Sequence, residues 1–389
     1  MRLLPFEYAT RNLGRAPLRA IGGVLGAALV VLLVLTASAF VRGMGRSMSV
    51  SANSRNVILL GAGSEESLER SEIRANTPTL AAASIRGIRE RLGVQYVSPE
   101  VNMALLLRES AADPRELNAV LRGVTPTAFL LHPQVQIVEG RAPNPGEYEF
   151  IAGPLAAVRM GVPEERLAVG RTLWFDNREW RIVGRFVAPQ TVMEAELWAP
   201  LGVLMAATRR TTLSCVVLTL DDDGRFEDAE VFCAQRLDLE LVAVRESDYF
   251  AGLLAFYGPV RGLIWLTTGL IALGGFLGGL NTLYAAFAAR VRELGTLQTL
   301  GFSRAAISVS FLQESLLTAS AGGILACAAA LLLIDGLAVR VSMGAFALHI
   351  DAPVLLSGLL AGVAMALVGV VPPLWRCLRL PIVEALRAA

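Results

Sequence analysis

"AARVRELGTLQTLGFSRAAI", Ala288 to Ile307, separates two apolar stretches that are each long enough to cross a bilayer. It holds Arg290, Arg292, Arg304 and Glu293, with leucines between them. In hydrocarbon each of these charges would cost about 3 kcal/mol. The segment therefore sits at or beyond the membrane interface. Val291, Leu294 and Leu297, extended by Leu300 or Gly301, form an apolar stripe at helical spacing. Arg290 and Glu293 are i,i+3 neighbours and can pair. Gly301 reads as a helix stop and Ser303 as the N-cap of the next helix. By themselves these residues admit two readings: a short amphipathic helix below the membrane, or an interfacial loop that only anchors the span ends.

Outward from this stretch, the chain of 389 residues is 54% hydrophobic, and the excess lies near the N-terminus and in the last third. Four apolar spans stand out: 20–40, 263–285, 307–334 and 354–375. Each has about 20 residues or more, roughly 30 Å of helix, which matches the hydrocarbon thickness. A cleaved signal peptide fits the first span poorly. Its polar lead-in is too long and no Ala-x-Ala site follows. Arg2, Arg11, Arg15 and Arg19 precede that span; Arg290, Arg292 and Arg304 lie in the link; Arg376, Arg379 and Arg387 lie in the tail. The other short link, 335–353, carries only Arg340. By the positive-inside rule both termini and the link at 286–306 are cytoplasmic, and the long segment after the first span is outside. Arg42 and Arg46 weaken this contrast without reversing it.

The expected fold is an α-helical membrane protein with four transmembrane helices and a large α+β extracytoplasmic domain inserted between the first and second. The expected boundaries are an interfacial helix at 1–17, spans at 18–42, 259–285, 304–335 and 353–376, and the domain at 43–258. A cytoplasmic link at 286–303, which the resemblance given below makes a coupling helix and turn, a short external loop at 336–352 and a cytoplasmic tail at 377–389 complete the chain. Phe6, Ala9 and Leu13 recur on one face of the first segment, with Arg11 and Arg15 free to meet water or phosphate.

Within the domain, 56–60 reads as a strand, 79–92 as a helix, and 104–107 and 118–124 as strands. Leu213–Leu220, a turn at 221–224, a helix at 226–237 and a strand at 239–244 read as a compact βαβ unit. "TLWFDNREWRIVGRFV" reads as a hairpin turning at Asp176–Asn177, with Trp180, Ile182 and Phe186 on one face. Two subdomains follow from this: an α+β part, and a β-rich insert at about 123–200.

Several chemistries are excluded. A net charge of +1 points to no nucleic acid. All 35 basic residues are arginine, and a phosphate loop needs a Gly-Lys-Ser/Thr step. ATP hydrolysis would then belong to a separate polypeptide. Four cysteines and two histidines show no metal-binding or nucleophilic spacing. Asp221 to Gly224 reads as a solvated turn, because the spacing to a following glutamate does not fit an EF-hand. Cys215 and Cys233 fall in adjacent elements and either bridge or stay as two buried thiols.

Two features of the spans remain. Gly22 with Gly26, Gly274 with Gly278, and Gly275 with Gly279 form small-xxx-small faces that allow close helix contact. Glu314 lies one to two turns into the third span, where an ionisable group is a functional candidate. Asn281 and Asp335 do not complete a polar path, so the spans read as levers without a lined pore. A secondary transporter would show inverted repeats and midplane charges, and neither is seen.

"RVRELGTLQTLGFSRAAI" is similar to the cytoplasmic link of the MacB/FtsX-type ABC permeases. Arg290, Glu293, Leu294, Gly295, Leu297, Leu300, Gly301 and Ser303 match that pattern; Gln298 and Thr299 depart from it. "RNLGRAPLRA" resembles the family's entry to the first span, "FLQESLL" with Gly322–Gly323 its third span, and "LRLPIVEALRA" its tail. "LRGV", "EGRAPNPGEYEFIAG" and "WRIVGRF" resemble blocks of its MacB-like periplasmic core. The resemblance implies that the link is a coupling helix seated in a groove of a separate ABC ATPase dimer. Leu294 and Leu297 would then project towards that ATPase, with ATP and magnesium bound there and no cofactor on this chain. It also implies a dimer contact through the first two spans, with a second copy or a paralogue, in a bacterial inner membrane. Export, extraction or mechanotransmission would follow, with lipoproteins, lipids, peptides or drugs as cargo and a periplasmic adaptor as a further partner. FtsX-like control of a cell-wall hydrolase, or a sensory complex, is the alternative.

Overall fold

Among the described residues, four helices are long and apolar enough to cross a membrane: Pro17–Ser51, Gly258–Ala285, Arg304–Leu333 and Ala352–Trp375. The computed structural model describes residues 6–341 and 344–379, without the side chains of 282, 286 and 376–378. Arg2, Arg387 and the tail from 380 on thus lie outside the described residues. By contacts the chain divides into two units. The first is Met1–Arg42, Pro259–Leu337 and Leu348–Ala389; the second is Gly43–Gly258 with Ala338–Ala347. The hairpin at 338–347, expected to be a mere external loop, therefore belongs to the α+β domain. The first helix does not stop at 42 either. Its 35 residues extend for about 52 Å, against a hydrocarbon core of about 30 Å, so its last turns continue past the span.

In the first unit, glycines set how closely the spans approach. A Cβ on Gly322 would stand 2.7 Å from the Val24 carbonyl oxygen and 2.8 Å from the Ala27 Cβ. One on Gly358 would meet the Leu35 side chain at 2.5 Å, and one on Gly362 would meet Val31 at 3.0 Å. The first span is thus wedged against the third and fourth, as small residues permit in lipid. Ser357 donates to Ser38 at 3.1 Å across the same contact. Asp351 caps the fourth span, accepting from Val354 N at 3.1 Å, and pairs with Arg42 at 2.8 Å. The second span stands apart: 6% of its apolar window is buried within the chain, against 39% for the first. Its surface is left to lipid or to another protein.

The second unit is built on one ten-stranded sheet. Its strands are β1 (Asn56–Gly61), β2 (Val97–Leu107), β3 (Leu117–Val124), β4 (Gln136–Gly140), β5 (Glu149–Ala152), β6 (Thr172–Phe175), β7 (Arg178–Val187), β8 (Glu196–Pro200), β9 (Cys215–Thr219) and β10 (Leu241–Arg245). The order is β10-β1-β9-β2-β3-β8-β5-β7-β4, with β6 paired to β7. The βαβ unit is a split one, because β1 lies antiparallel between β9 and β10. The two expected subdomains are not separate sheets. β2 pairs with β9 through Val97–Glu100 and with β3 through Val101–Leu107, so one long strand serves both halves.

Two local expectations change. The helix read at 79–92 is Thr77–Ser84. At Gly87 the chain needs a positive φ (70°) and passes against Gly224, which a continuing helix could not do. The hairpin at Asp176–Asn177 forms with φ of 49° and 55°, a primed turn. Trp180 and Ile182 share a core with Phe150, on which Trp180 stacks at 4.6 Å. Phe186 does not join them. Register shifts on both sides of Gly184 turn Val183 and Phe186 into a second cluster around Trp198. Cys215 and Cys233 are buried and unbridged. Asp221 Oδ1 accepts from Asp223 N at 3.0 Å, and Asp222 pairs with Arg55.

A buried charge network crosses the middle of this sheet. Arg122 donates through Nε and Nη2 to Glu196, both at 2.7 Å, and through Nη1 to Glu100 at 2.6 Å. Glu100 also accepts from Ser98 at 3.1 Å and meets His132 Nε2 at 3.0 Å. Trp198 donates to Glu196 at 2.8 Å. Nearby, Glu246 accepts from Asn53 N and from Asn56. Burial opposes ionisation of Glu100, but His132 and Arg122 outweigh it and hold its pKa down at about 2. Burial likewise opposes the imidazolium of His132, yet Glu100 raises its pKa above the ordinary 6.5.

Two outcomes are expected. Gly322→Val forces the first and third spans apart and should destabilise the purified chain by at least about 1–3 kcal/mol, read as a lower melting temperature in detergent. The Glu100 contribution is complete above its ordinary 4.5 and is lost as pH falls towards 2. The His132 contribution is complete below 6.5 and is lost as pH rises through its raised value. Melting temperature should therefore decline on the alkaline side of 6.5, and His132→Gln should flatten that decline. An unchanged slope in the variant would refute the assignment to His132.

Candidate functional site

The link that opened the sequence forms a nine-residue helix, Val291–Thr299. Its end is a Schellman turn. Phe302 N donates to Leu297 O and Gly301 N to Gln298 O, both at 3.1 Å, with Gly301 at φ 89°. Ser303 then caps the third span, accepting from Ala306 N at 3.2 Å. Leu297 and Phe302 pack on one cluster, the apolar contact that accompanies this turn.

The apolar stripe turns inwards. Leu294 is 2% exposed and packs with Phe287, Ile307, Phe311 and Val370, from the second, third and fourth spans. Leu297 is half-buried on the same cluster. The expectation that Leu294 and Leu297 point towards an ATPase is therefore corrected. An amphipathic helix buries its stripe on the nearest apolar surface, and here the bundle itself provides one. The outward face carries Arg292, Glu293, Thr296, Thr299, Leu300 and Gly301, with Leu300 75% exposed.

Polar contacts fix the helix at its start. Arg290 precedes the first turn, and its Nη1 meets Glu314 of the third span at 3.1 Å while its Nε meets Glu293 at 3.3 Å. Its guanidinium lies 4.8 Å over the Phe311 ring. Asn12 of the helix Phe6–Arg15 donates to the same Glu314 carboxylate at 2.6 Å. Burial works against the charge on Arg290, but Glu314 and then Tyr8 outweigh it and keep its pKa above the usual value. Glu314 is thus a hub for three segments, and the sequence did not show that Asn12 and Tyr8 belong to it.

The glycine faces divide. A Cβ on Gly275 would meet Val30 of the first span at 2.7 Å, so that glycine is used inside the chain. A Cβ on Gly22, Gly26, Gly274, Gly278 or Gly279 would meet nothing within 4 Å.

Among known proteins, the MacB-like periplasmic core domain matches residues 20–230, and the FtsX-like permease C-terminal region matches 265–382. The uncharacterized ABC transporter permease YknZ of Bacillus subtilis (strain 168) is 20% identical over 328 residues, 80% of each chain. The periplasmic region of MacB from Actinobacillus actinomycetemcomitans matches at 12% identity and a TM-score of 0.39, over 51% of this chain and 92% of that one. The extracellular domain of the noncanonic ABC-type transporter YknZ from Gram-positive bacteria matches at 12% identity and 0.36, over 48% and 97%.

Leu294→Asp should now damage the chain itself, by at least about 3 kcal/mol, since it loses a packed leucine and buries a carboxylate. Arg290→Ala should also destabilise, because it leaves Glu314 to Asn12 alone. Leu300→Asp should stay within about 0.5 kcal/mol of the parent. Melting curves of the three purified variants check this order.

Proposed function

The chain belongs to the ABC transporter permeases of the MacB/FtsX type, and we propose that it is the non-catalytic membrane subunit through which a separate ABC ATPase dimer moves an extracytoplasmic domain. The observation that carries this reading is the helix Val291–Thr299. It presents one face outwards while Leu294 and Arg290 bind the other to the bundle. A partner pressing on Arg292, Glu293, Thr296 and Leu300 would move the second and third spans together. These 389 residues contain no lysine, so the phosphate loop that binds ATP and magnesium lies on another chain or segment. Gly22, Gly26, Gly274 and Gly279 support a dimer contact through the first two spans, and the thinly covered second span supports it too. The arginine distribution supports cytoplasmic termini and link, and the family supports a bacterial inner membrane.

The test uses surface variants that spare the fold. Leu300→Asp combined with Thr296→Arg should keep the melting temperature and insertion. It should abolish co-purification of the ATPase, together with transport-coupled hydrolysis in lipid. Wild-type levels of both in that variant would refute the coupling assignment. Cysteines placed singly at Asp176 and Thr296 test sidedness: the first should label on intact cells, the second only after permeabilisation.

A further inference from the structure

Among the described residues of the second unit, two arginines are almost fully buried, Arg122 at 5% and Arg159 at 4% exposed. Arg122 meets Glu100 at 2.6 Å and Glu196 at 2.7 Å. Arg159, on the helix Ala156–Met160, forms no ion pair among the described residues. Its guanidinium makes one hydrogen bond there, from Nη2 to Asn118 of β3 at 3.4 Å, and its Nε is sealed from solvent without a partner. A guanidinium keeps its proton inside a protein, and buried charges are normally paired. Burial, and then Arg340, lower the pKa of Arg159, and Glu69 offsets only part of this. The charge that acts on Arg159 most strongly is therefore another cation.

Two further arginines come to the end of the same short helix. Arg340 lies on the hairpin strand Ala338–Val341. A Cβ on Gly161 would stand 3.8 Å from its Nη1 and, chain neighbours aside, would meet nothing else within 4 Å. Arg115, just before β3, donates from Nη2 to the Gly161 carbonyl at 3.0 Å. Both side chains belong to exposed residues, and neither forms an ion pair among the described residues. Three guanidinium groups from three segments of the second unit thus gather around one exposed glycine with open space beside it. The helix end does not account for them. Gly161 N and Val162 N already donate to the Val158 and Ala157 carbonyls, so Arg115 alone has a carbonyl to bind. Guanidinium forks match the oxygens of a phosphate with paired hydrogen bonds. Three positive charges exceed the one carboxylate that acts on Arg159, Glu69, by about the charge of a phosphate dianion at neutral pH.

We propose that Arg159, Arg340 and Arg115 form a binding site for a phosphate group, free or esterified to a larger solute. The proposal does not rest on the coupling reading, and its test needs neither nucleotide nor ATPase. Inorganic phosphate is titrated calorimetrically into the purified full chain, in a chloride buffer of constant ionic strength, and the melting temperature is followed in parallel. One phosphate per chain should bind saturably and raise the melting temperature. Arg340→Gln and Arg115→Gln alter exposed side chains. Each should keep the phosphate-free melting temperature and weaken binding by about tenfold, the effect of one charge-assisted hydrogen bond. Arg159→Met should abolish binding and, without phosphate, melt no earlier than the parent, because it removes an unpaired buried charge. Glu69→Gln should tighten binding, because it removes the carboxylate that competes with the ligand for Arg159. Glycerol 1-phosphate that displaces bound phosphate at a lower concentration than phosphate itself identifies an esterified group as the occupant; equal or weaker displacement identifies free phosphate. An absence of saturable binding at about 10 mM phosphate, or binding that Arg340→Gln and Arg115→Gln leave unchanged, would overturn the proposal. So would a Glu69→Gln chain that melts early and binds no tighter, since Glu69 would then be the counterion of Arg159.

Discussion

An arginine that closes one span and a glutamate inside the next can lie below the surface only as partners. Arg290 and Glu314 have side chains 11% and 25% exposed. They fall between the exposed pairs worth about 0–1 kcal/mol and the buried pairs whose breakage costs about 3–5 kcal/mol. Their value is chiefly geometric. The carboxylate also takes the Asn12 amide, and the guanidinium also lies on Phe311. Three segments far apart in sequence are thus tied to one point at the link end of the bundle. The short helix, with Leu294 beneath it, is a fixed part of that end.

The domain has its own version of the same constraint. β2 is one strand pairing in two directions, and the residue at the change of partner is flanked by Glu100. A sheet whose halves hang on one strand could bend there. Arg122 on β3, Glu196 on β8 and His132 after the helix Ala128–Leu131 all close on Glu100 or on each other across that point. Such a network is poor evidence for net stability, since apolar residues of similar volume often do as well. It does specify register, because a slip of one residue would bury unpaired charges.

What the sequence made legible was whatever depends on local chemistry. The spans follow from length and hydropathy. The Gly301 stop, the Ser303 cap and the Asp176–Asn177 turn follow from backbone preferences that few residues satisfy. The direction of the Val291–Leu294–Leu297 stripe was not legible, since periodicity shows that a face is apolar and not what covers it. Phe186 was misplaced by a period-two count, although the isolated Gly184 within a strand was a signal for a bulge. The charge network joins residues scattered from Glu100 to Glu196. Its one local signal was a charge in each of two otherwise apolar strands, Arg122 in "LNAVLRGV" and Glu196 in "ELWAP".

The helix Pro17–Ser51 contributes residues to both units. It begins among the spans, where Gly322 and Gly358 let the third and fourth spans press on it, and it ends inside the second unit. There Ser51 Oγ donates to Ser47 O at 2.6 Å and accepts from Val192 N at 2.8 Å. Helices kink at proline, at glycine and serine pairs, or at inserted bulges, and Gly43 and Gly45 stand near the boundary. Gly43, however, is occupied: a Cβ there would press on the Phe346 ring at 3.2 Å and on the Ala347 carbonyl at 3.3 Å. That glycine admits the hairpin against the helix, and both belong to the second unit.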